Sequence, residues 1–436
     1  MKISIEKELI KQTQKINITL RQALFCTTNK LDDIRRIPFH GKMVDGMPTD
    51  SLGPFPEFIL PTNICNRTLQ GFCSPCFFSK VPLSSRPQNE IYDSLLVQTK
   101  YIIDNFDELV LNFQARQDEM KNYWDITFCY ACNGSIFSNA ETTKHTRYEA
   151  FKMLSDMAKE KKLRTLVYIE TCVGDYINFL NSDEFNSIYP MLKVLNAVIL
   201  FGFESINDLT RNYIYLKNLE LSDFEYAVQR NNELGLATGA FLYTGHHSLS
   251  QSEIIEDAKE SVKYLISKNV MPVVMFPNIH EYTLTHLLYK YGKYNLIDPQ
   301  TALEIFMYVD LEARKNENYQ NHKCDAWLMG DLFGGPPTPP NNFFNNKNKI
   351  SCDKCSELIR STLQKARQNH KPIAYEDIIN KLEKCENHCR QHYNEFIVSE
   401  KDMISKYSIL ERVRETINFA ELNCEKYLNE MGEKNV

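Results

Sequence analysis

A chain of 436 residues is too long for one small core and suits two or three units, or one α/β barrel with additions. Its 43% hydrophobic and 24% charged content are ordinary for a globular protein. A net charge of −6, with both signs intermixed, argues against a basic field that grips nucleic acid unaided.

The opening residues, Met1 to Glu8, alternate charged with apolar groups and lack the apolar stretch of a secretory signal. No uncharged run approaches the ~20 apolar residues that span a bilayer. The expectation is a cytoplasmic protein without membrane association. In such a reducing compartment, 13 cysteines point to metal binding or catalysis rather than to disulfides.

A helix is expected over about 4–26, followed by polar and basic stretches that include Arg35-Arg36. The Pro-rich passage 53–61 favours extended backbone, so Phe58-Ile59-Leu60 reads as a strand leading into Cys65-x7-Cys73-x2-Cys76. From about 90 to 290, strand-length apolar runs at 108–113, 125–130, 165–170, 196–202, 237–243 and 271–276 alternate with helix-like segments. Those segments lie near 146–161, 184–194, 222–234 and 251–268, and Ser222-Asp223-Phe224-Glu225 and Ser250-Gln251-Ser252-Glu253 resemble N-terminal caps. Regular β–α alternation with near-continuous apolar strands predicts a parallel sheet, open or closed, whose ligands sit at the C-terminal strand ends.

Residues 334–342, Gly-Gly-Pro-Pro-Thr-Pro-Pro-Asn-Asn, punctuate the chain before a mostly helical, Cys-bearing region. The expected organisation is an N-terminal extension over 1–52, a core barrel over 53–320 and a C-terminal helical region over 321–436.

Three close thiolates suit a zinc ion or an iron–sulphur cluster and leave a coordination position open. The competing reading is a zinc loop or three unrelated core cysteines.

The cysteine loop resembles the radical S-adenosylmethionine (SAM) superfamily, whose members carry three cysteines after the first barrel strand, most often as C-x3-C-x2-C. The longer spacing is similar to the branch containing the archaeosine synthase radical-SAM subunit, akin to the Elongator catalytic subunit and the tRNA methylthiotransferases. Three further stretches carry the resemblance: Asn133-Gly134-Ser135-Ile136-Phe137-Ser138, Val167-Tyr168-Ile169-Glu170-Thr171, and Leu200 to Asp208 with its Gly202-Phe203-Glu204-Ser205 centre. It spans roughly 58–310 and continues weakly to about 365. Two departures stand out. Pro75 occupies the usual aromatic position before the third cysteine, with Phe77 and Phe78 following, and Thr171 replaces a serine.

The resemblance implies a partial (β/α)6 barrel with a 4Fe–4S cluster on Cys65, Cys73 and Cys76. SAM would chelate the fourth iron and be cleaved to a 5′-deoxyadenosyl radical. Gly134, Ser135, Glu170, Thr171, Glu204 and Ser205 would then contact SAM, and a reducing partner such as flavodoxin or ferredoxin would supply the electron. The implied substrate is a modified tRNA base, with a partner enzyme in the archaeosine branch. A small molecule or peptide is the alternative substrate. Further polar groups at the expected mouth are His246, His247, Asn278, His280, Glu281 and Tyr282, whereas Cys129, Cys132 and Cys172 read as core packing.

A second cysteine group comprises Cys352, Cys355, Cys385 and Cys389, the last two at helical i, i+4 spacing, with His388, His392 and Cys324 as additional ligand candidates. Two short pairs suit a structural zinc or an auxiliary iron–sulphur cluster. A non-catalytic, zinc-stabilised binding module is the alternative for the whole chain.

Overall fold

The structure is a computed structural model, and it describes residues 2–27, 57–60, 65–74, 95–96, 99–107, 126–130, 134–277, 279–315, 349–369, 375–404 and 408–433. Helix α1 (Lys2–Thr27) comes first, then β1 (Glu57–Leu60) and the single turn α2 (Asn66–Leu69). Strands β2 (Ile126–Tyr130), β3 (Thr165–Thr171), β4 (Ala197–Gly202), β5 (Ala237–Tyr243) and β6 (Met271–Met275) follow. Between and after them lie α3 (Lys144–Glu160), α4 (Val173–Leu180), α5 (Asp183–Val194), α6 (Leu221–Leu234), α7 (Gln251–Ser267), α8 (Leu284–Lys290) and α9 (Pro299–Lys315). Beyond α9 the described residues form α10 (Asp353–Asn369), α11 (Tyr375–Glu383), α12 (Cys389–Ile404) and α13 (Ile409–Glu433).

The six strands among the described residues are parallel and ordered β1-β2-β3-β4-β5-β6, with pairs such as Phe58↔Phe128, Tyr168↔Val198 and Phe241↔Val273 fixing the register. A doubly wound sheet reverses its strand order, whereas this sequential order is that of a partial (β/α)6 barrel. Strand β4 is buried along nearly its whole length, as a parallel strand covered on both faces must be. Phe128, Val167, Ile169, Ile199 and Phe201 share one apolar cluster with Phe151, Leu154, Phe224 and Val262 of the outer helices.

A second cluster joins α1 to α8 and α13 through Leu9, Ile16, Leu20, Leu287, Val413 and Ile417. The N-terminal helix is therefore packed on the far C-terminal one. A third cluster, with Leu303, Phe306, Ile359, Tyr375 and Leu382, seats α10 and α11 on α9.

Helix ends bear out one expectation and change another. Ser250 and Glu253 form the expected capping box of α7. Helix α6 begins earlier than its Ser222 suggests: Glu220 is the cap residue and makes no side-chain cap bond, so Ser222 lies inside the first turn. The same helix ends on Gly235 at φ 65°, a left-handed geometry that glycine adopts without steric cost. The run 108–113 and the punctuation at 334–342 lie outside the described residues.

Candidate functional site

Described residues that follow β1, β2, β3 and β4 come together, Gly134 and Cys172 beside Cys65, and Glu204 with Lys217 beside Cys73. Cys65 precedes α2 and Cys73 follows it, while Cys76 lies outside the described residues, as do Pro75, Phe77 and Phe78. Gly71 turns the chain at φ 80°, and a Cβ there would stand 2.6 Å from the Gln14 carbonyl oxygen of α1. Cys73 itself takes φ 56°, an uncommon conformation for a residue with a Cβ. Its N–H bonds the Leu216 carbonyl at 3.4 Å, and the Ser74 N–H bonds that of Tyr215 at 3.2 Å. On the other side Arg21 of α1 donates to the Thr68 and Cys73 carbonyls at 2.6 and 2.9 Å, and Asn17 donates to the Gly71 carbonyl at 2.9 Å. The loop is thus held from two sides, in addition to its own turn bonds such as Thr68 N–H to the Cys65 carbonyl and Phe72 N–H to that of Arg67.

The Cys65 thiol is lowered to about 5, first by a hydrogen bond from Cys172, then by the Thr68 and Arg67 backbone and the Arg67 charge, against opposing burial. Cys172 is pushed well up by giving that bond and by its own burial. This corrects the expectation of Cys172 as core packing: the residue after β3 is a direct neighbour of Cys65. The Arg67 guanidinium also bonds the Cys73 side chain, donates to the Lys217 carbonyl and lies 4.9 Å from the Phe72 ring centroid.

Lys217 Nζ pairs with Glu204 Oε1 at 2.5 Å. Burial alone would lower the lysine's pKa, but the charges of Cys73 and Glu204 hold it above the ordinary value. Burial raises Glu170 well above the usual carboxylate range, with Lys217 opposing and Glu204 adding to the shift. Glu204 adopts φ 67°, and its Oε2 is buried with no hydrogen-bond partner among the described residues. Buried acceptors are seldom left so, and an orphan of this kind calls for an explanation.

Gly134 packs tightly: a Cβ there would stand 1.9 Å from Glu141 Oε2 and 2.8 Å from Cys65 Cβ. Ser135 donates its N–H to Glu141 Oε2 at 2.5 Å, and its hydroxyl meets Thr171 Oγ1 at 2.8 Å and accepts from Cys172 N at 3.2 Å. Thr171 thus keeps a hydroxyl contact. Arg147 braces this loop from α3, donating to the Ile136 and Thr142 carbonyls and pairing with Glu184 at 2.8 Å.

Of the six residues expected beside SAM, Glu170 and Glu204 meet at Lys217, and Gly134, Ser135 and Thr171 line Cys65 and Cys172. Ser205 is turned away, its hydroxyl donating to Asp257 Oδ1 of α7 at 2.6 Å.

After β5 come His246 and His247, both buried, with ring centroids 3.5 Å apart. Tyr215 meets His246 edge-on at 4.7 Å and donates its hydroxyl to the Tyr243 carbonyl. Burial pulls His246 down to about 3 and His247 well below its ordinary value. Tyr282 is tied to the C-terminal helix rather than to an open mouth, its N–H donating to Tyr427 Oη at 2.8 Å. His280 is buried, whereas Asn278, Cys132 and the Cys129 side chain lie outside the described residues.

The second cysteine group does come together: the sulphurs of Cys352, Cys355, Cys385 and Cys389 all lie within 4.8 Å of one another. Cys385 and Cys389 do not share a helix as their spacing suggested. Cys385 sits in the connection after α11 and Cys389 opens α12, with His388 between them at φ 49°. His388 and His392 are exposed, and Cys324 lies outside the described residues.

Arg67, Cys172, Lys217, Glu141 and Asp257 were missed from sequence. Arg67 alone carried a signal, as a cation inside the cysteine loop.

Fold and site together define an α/β partial barrel with thiols, buried cations and carboxylates at its C-terminal strand ends. No protein-family model and no curated protein matches the chain. Among solved structures it is similar to TsrM from Kitasatospora setae, a radical S-adenosylmethionine methyltransferase. The structure with tryptophan substrate and the SAM analogue aza-SAM is 10% identical over 57% of this chain and 41% of that one, at TM-score 0.35. The form with cobalamin and a 4Fe–4S cluster is 10% identical over 52% and 38%, at 0.32. Archaeal Elp3 from Methanocaldococcus infernus, lacking its N-terminal residues, is 16% identical over 72% and 63%, at 0.40. The chain spans about two fifths of the methyltransferase structures it matches. No helix among the described residues is long and apolar enough to cross a membrane.

Proposed function

We propose that the chain is a radical SAM enzyme in which Cys65, Cys73 and Cys76 hold a 4Fe–4S cluster. The observation that carries this reading is the meeting of Cys65 and Cys73 with Arg67, Lys217 and the unpartnered Glu204 Oε2 at the ends of the first four strands. These residues fit the group. Soft thiolates are the donor set that iron–sulphur clusters need, and two buried cations offset the negative charge they bring. Gly134 leaves the space beside Cys65 free of a side chain.

When bound, the cluster and SAM supply one-electron chemistry, the reductive cleavage of SAM and hydrogen abstraction from a substrate. The protein binds, orients and excludes water. Lys217 fixes Glu204 Oε1 and leaves Oε2 unpartnered, so that this oxygen would accept from the SAM amino group. Glu170 lies in the same corner, and Ser135 and Thr171 hold the loop after β2 against the end of β3. Helix α1 covers the cysteine loop through Arg21 and Asn17.

The branch resemblance extends this proposal to a modified tRNA base as substrate, with flavodoxin or ferredoxin as the electron source. Anaerobic reconstitution with iron and sulphide tests the cluster. The expected result is a reduced paramagnetic signal that SAM perturbs in wild type and that Cys65→Ala lacks. A protein that takes up zinc alone and gives no such signal returns the chain to the binding-module reading. Binding of bulk tRNA that a small-molecule pool does not displace supports the substrate assignment, and its absence overturns that part alone.

A further inference from the structure

The second cysteine group shares no residue with the proposed radical site and has a geometry of its own. Cys352 Sγ stands 3.8 Å from Cys385 Sγ, and Cys385 Sγ stands 3.7 Å from Cys389 Sγ. The remaining separations fall within 4.8 Å. All four cysteines are free, so these are not disulfide contacts.

The spacing discriminates between metal centres. Zinc–sulphur bonds of about 2.3 Å in a tetrahedron put the four sulphurs about 3.8 Å apart. In a cubane cluster four separate irons each carry one thiolate outward, so the sulphurs stand roughly 6 Å apart. A group contained within 4.8 Å encloses one ion and is too tight for a four-iron cluster.

The surroundings are those of a built site. The Cys352 N–H donates to Cys389 Sγ at 3.2 Å, a bond from the peptide backbone that stabilises the thiolate form of a metal ligand. Asp298, at the start of α9, accepts from the Ile350 and Ser351 N–H groups at 2.7 and 2.9 Å and from the Ser351 hydroxyl at 2.6 Å. Gln300 donates to the Cys389 carbonyl and to Ser351 Oγ, each at 3.1 Å. Both cysteine pairs are thereby hung from the first turn of α9.

We propose that Cys352, Cys355, Cys385 and Cys389 form a closed tetrathiolate zinc site that pins α10, α11 and α12 to α9. Four protein ligands leave no position for water or substrate, so the role is structural. Binding expels the thiol protons to solvent and involves no electron transfer.

The test is metal analysis of the full chain, purified in air to strip labile iron, as wild type, Cys65→Ala and Cys352→Ser/Cys355→Ser. About one zinc per chain is expected in the first two and close to none in the third. Retention in Cys65→Ala separates this site from the radical site, so either proposal fails alone. Should the double variant not fold, cobalt exchanged into wild type reports instead, with tetrahedral ligand-field bands and thiolate charge transfer expected. Iron in place of zinc, zinc that survives loss of Cys352 and Cys355, or wild type with neither zinc nor the cobalt spectrum would each overturn the assignment.

Discussion

Lys217 Nζ and Glu204 Oε1 stand 2.5 Å apart at the end of β4, in the same buried corner as Glu170 and Cys73. The lysine is 16% exposed and the glutamate 9%, so water does little to screen either charge. Removing one member of a buried pair leaves the other uncompensated, at about 3–5 kcal/mol. Lys217→Met is expected to lower stability in urea by that order, because Glu204 then loses its cation. Adding Glu204→Gln should restore part of the loss. Strictly additive effects would mean the two side chains do not act as a pair.

Two glycines make opposite predictions. Gly134→Ala forces a Cβ to 1.9 Å from Glu141 Oε2 and 2.8 Å from Cys65 Cβ, so Cys65 has to shift. Iron uptake on reconstitution should fall, with a stability loss of about 1–3 kcal/mol. Gly174 in α4 has no neighbour within 4 Å among the described residues. Gly174→Ala is expected to leave iron uptake unchanged and to stabilise by up to about 1 kcal/mol. Equal iron uptake in the two variants would count against the close packing of Gly134 on Cys65.

Asp257 gives a pH dependence. Burial pushes its carboxyl up to about 7 from the ordinary 3.8, against the Ser205 hydrogen bond. The folded state then holds a proton that the unfolded chain releases between about pH 4 and 7, so stability falls as pH rises through that window. Asp257→Asn should flatten that part of the curve, by no more than about 4 kcal/mol. His246 and His247 act in the opposite sense, since burial keeps them neutral and the fold weakens as pH falls below their ordinary value. The difference between wild type and Asp257→Asn in chemical denaturation isolates the aspartate, and an unchanged slope would refute its buried ionisation.

The N-terminal helix should protect the cysteine loop. Arg21→Ala removes the donors to the Thr68 and Cys73 carbonyls and costs about 1–3 kcal/mol. Reconstituted cluster should bleach faster in air than in wild type, while zinc content stays constant. Equal bleaching rates would show that α1 does not guard the loop.

The barrel was largely legible in the sequence because parallel buried strands are continuous apolar runs, and β3 to β6 each coincide with one. The cysteine loop and the glycine and acidic motifs stood out as local patterns, and the described residues bring Cys65, Gly134, Ser135 and Thr171 together at one place and Glu170 and Glu204 together at Lys217. Lys217 was not. It lies in a segment without apolar period, after a π-helical turn (Leu209–Ile214), and reaches Glu204 only because the Tyr215 and Leu216 carbonyls anchor that segment to the cysteine loop. Cys172 was misread as core because its partner Cys65 is far away in sequence. Helical spacing misled at Cys385 and Cys389, where the turn at His388 parts two helices and brings the thiols together.

The most direct test of the central claim is the formation of 5′-deoxyadenosine from SAM by anaerobically reconstituted protein under dithionite. Wild type is expected to produce it and Cys65→Ala is expected to produce none. Intact SAM with fully loaded wild-type protein, or equal product from both proteins, would contradict it.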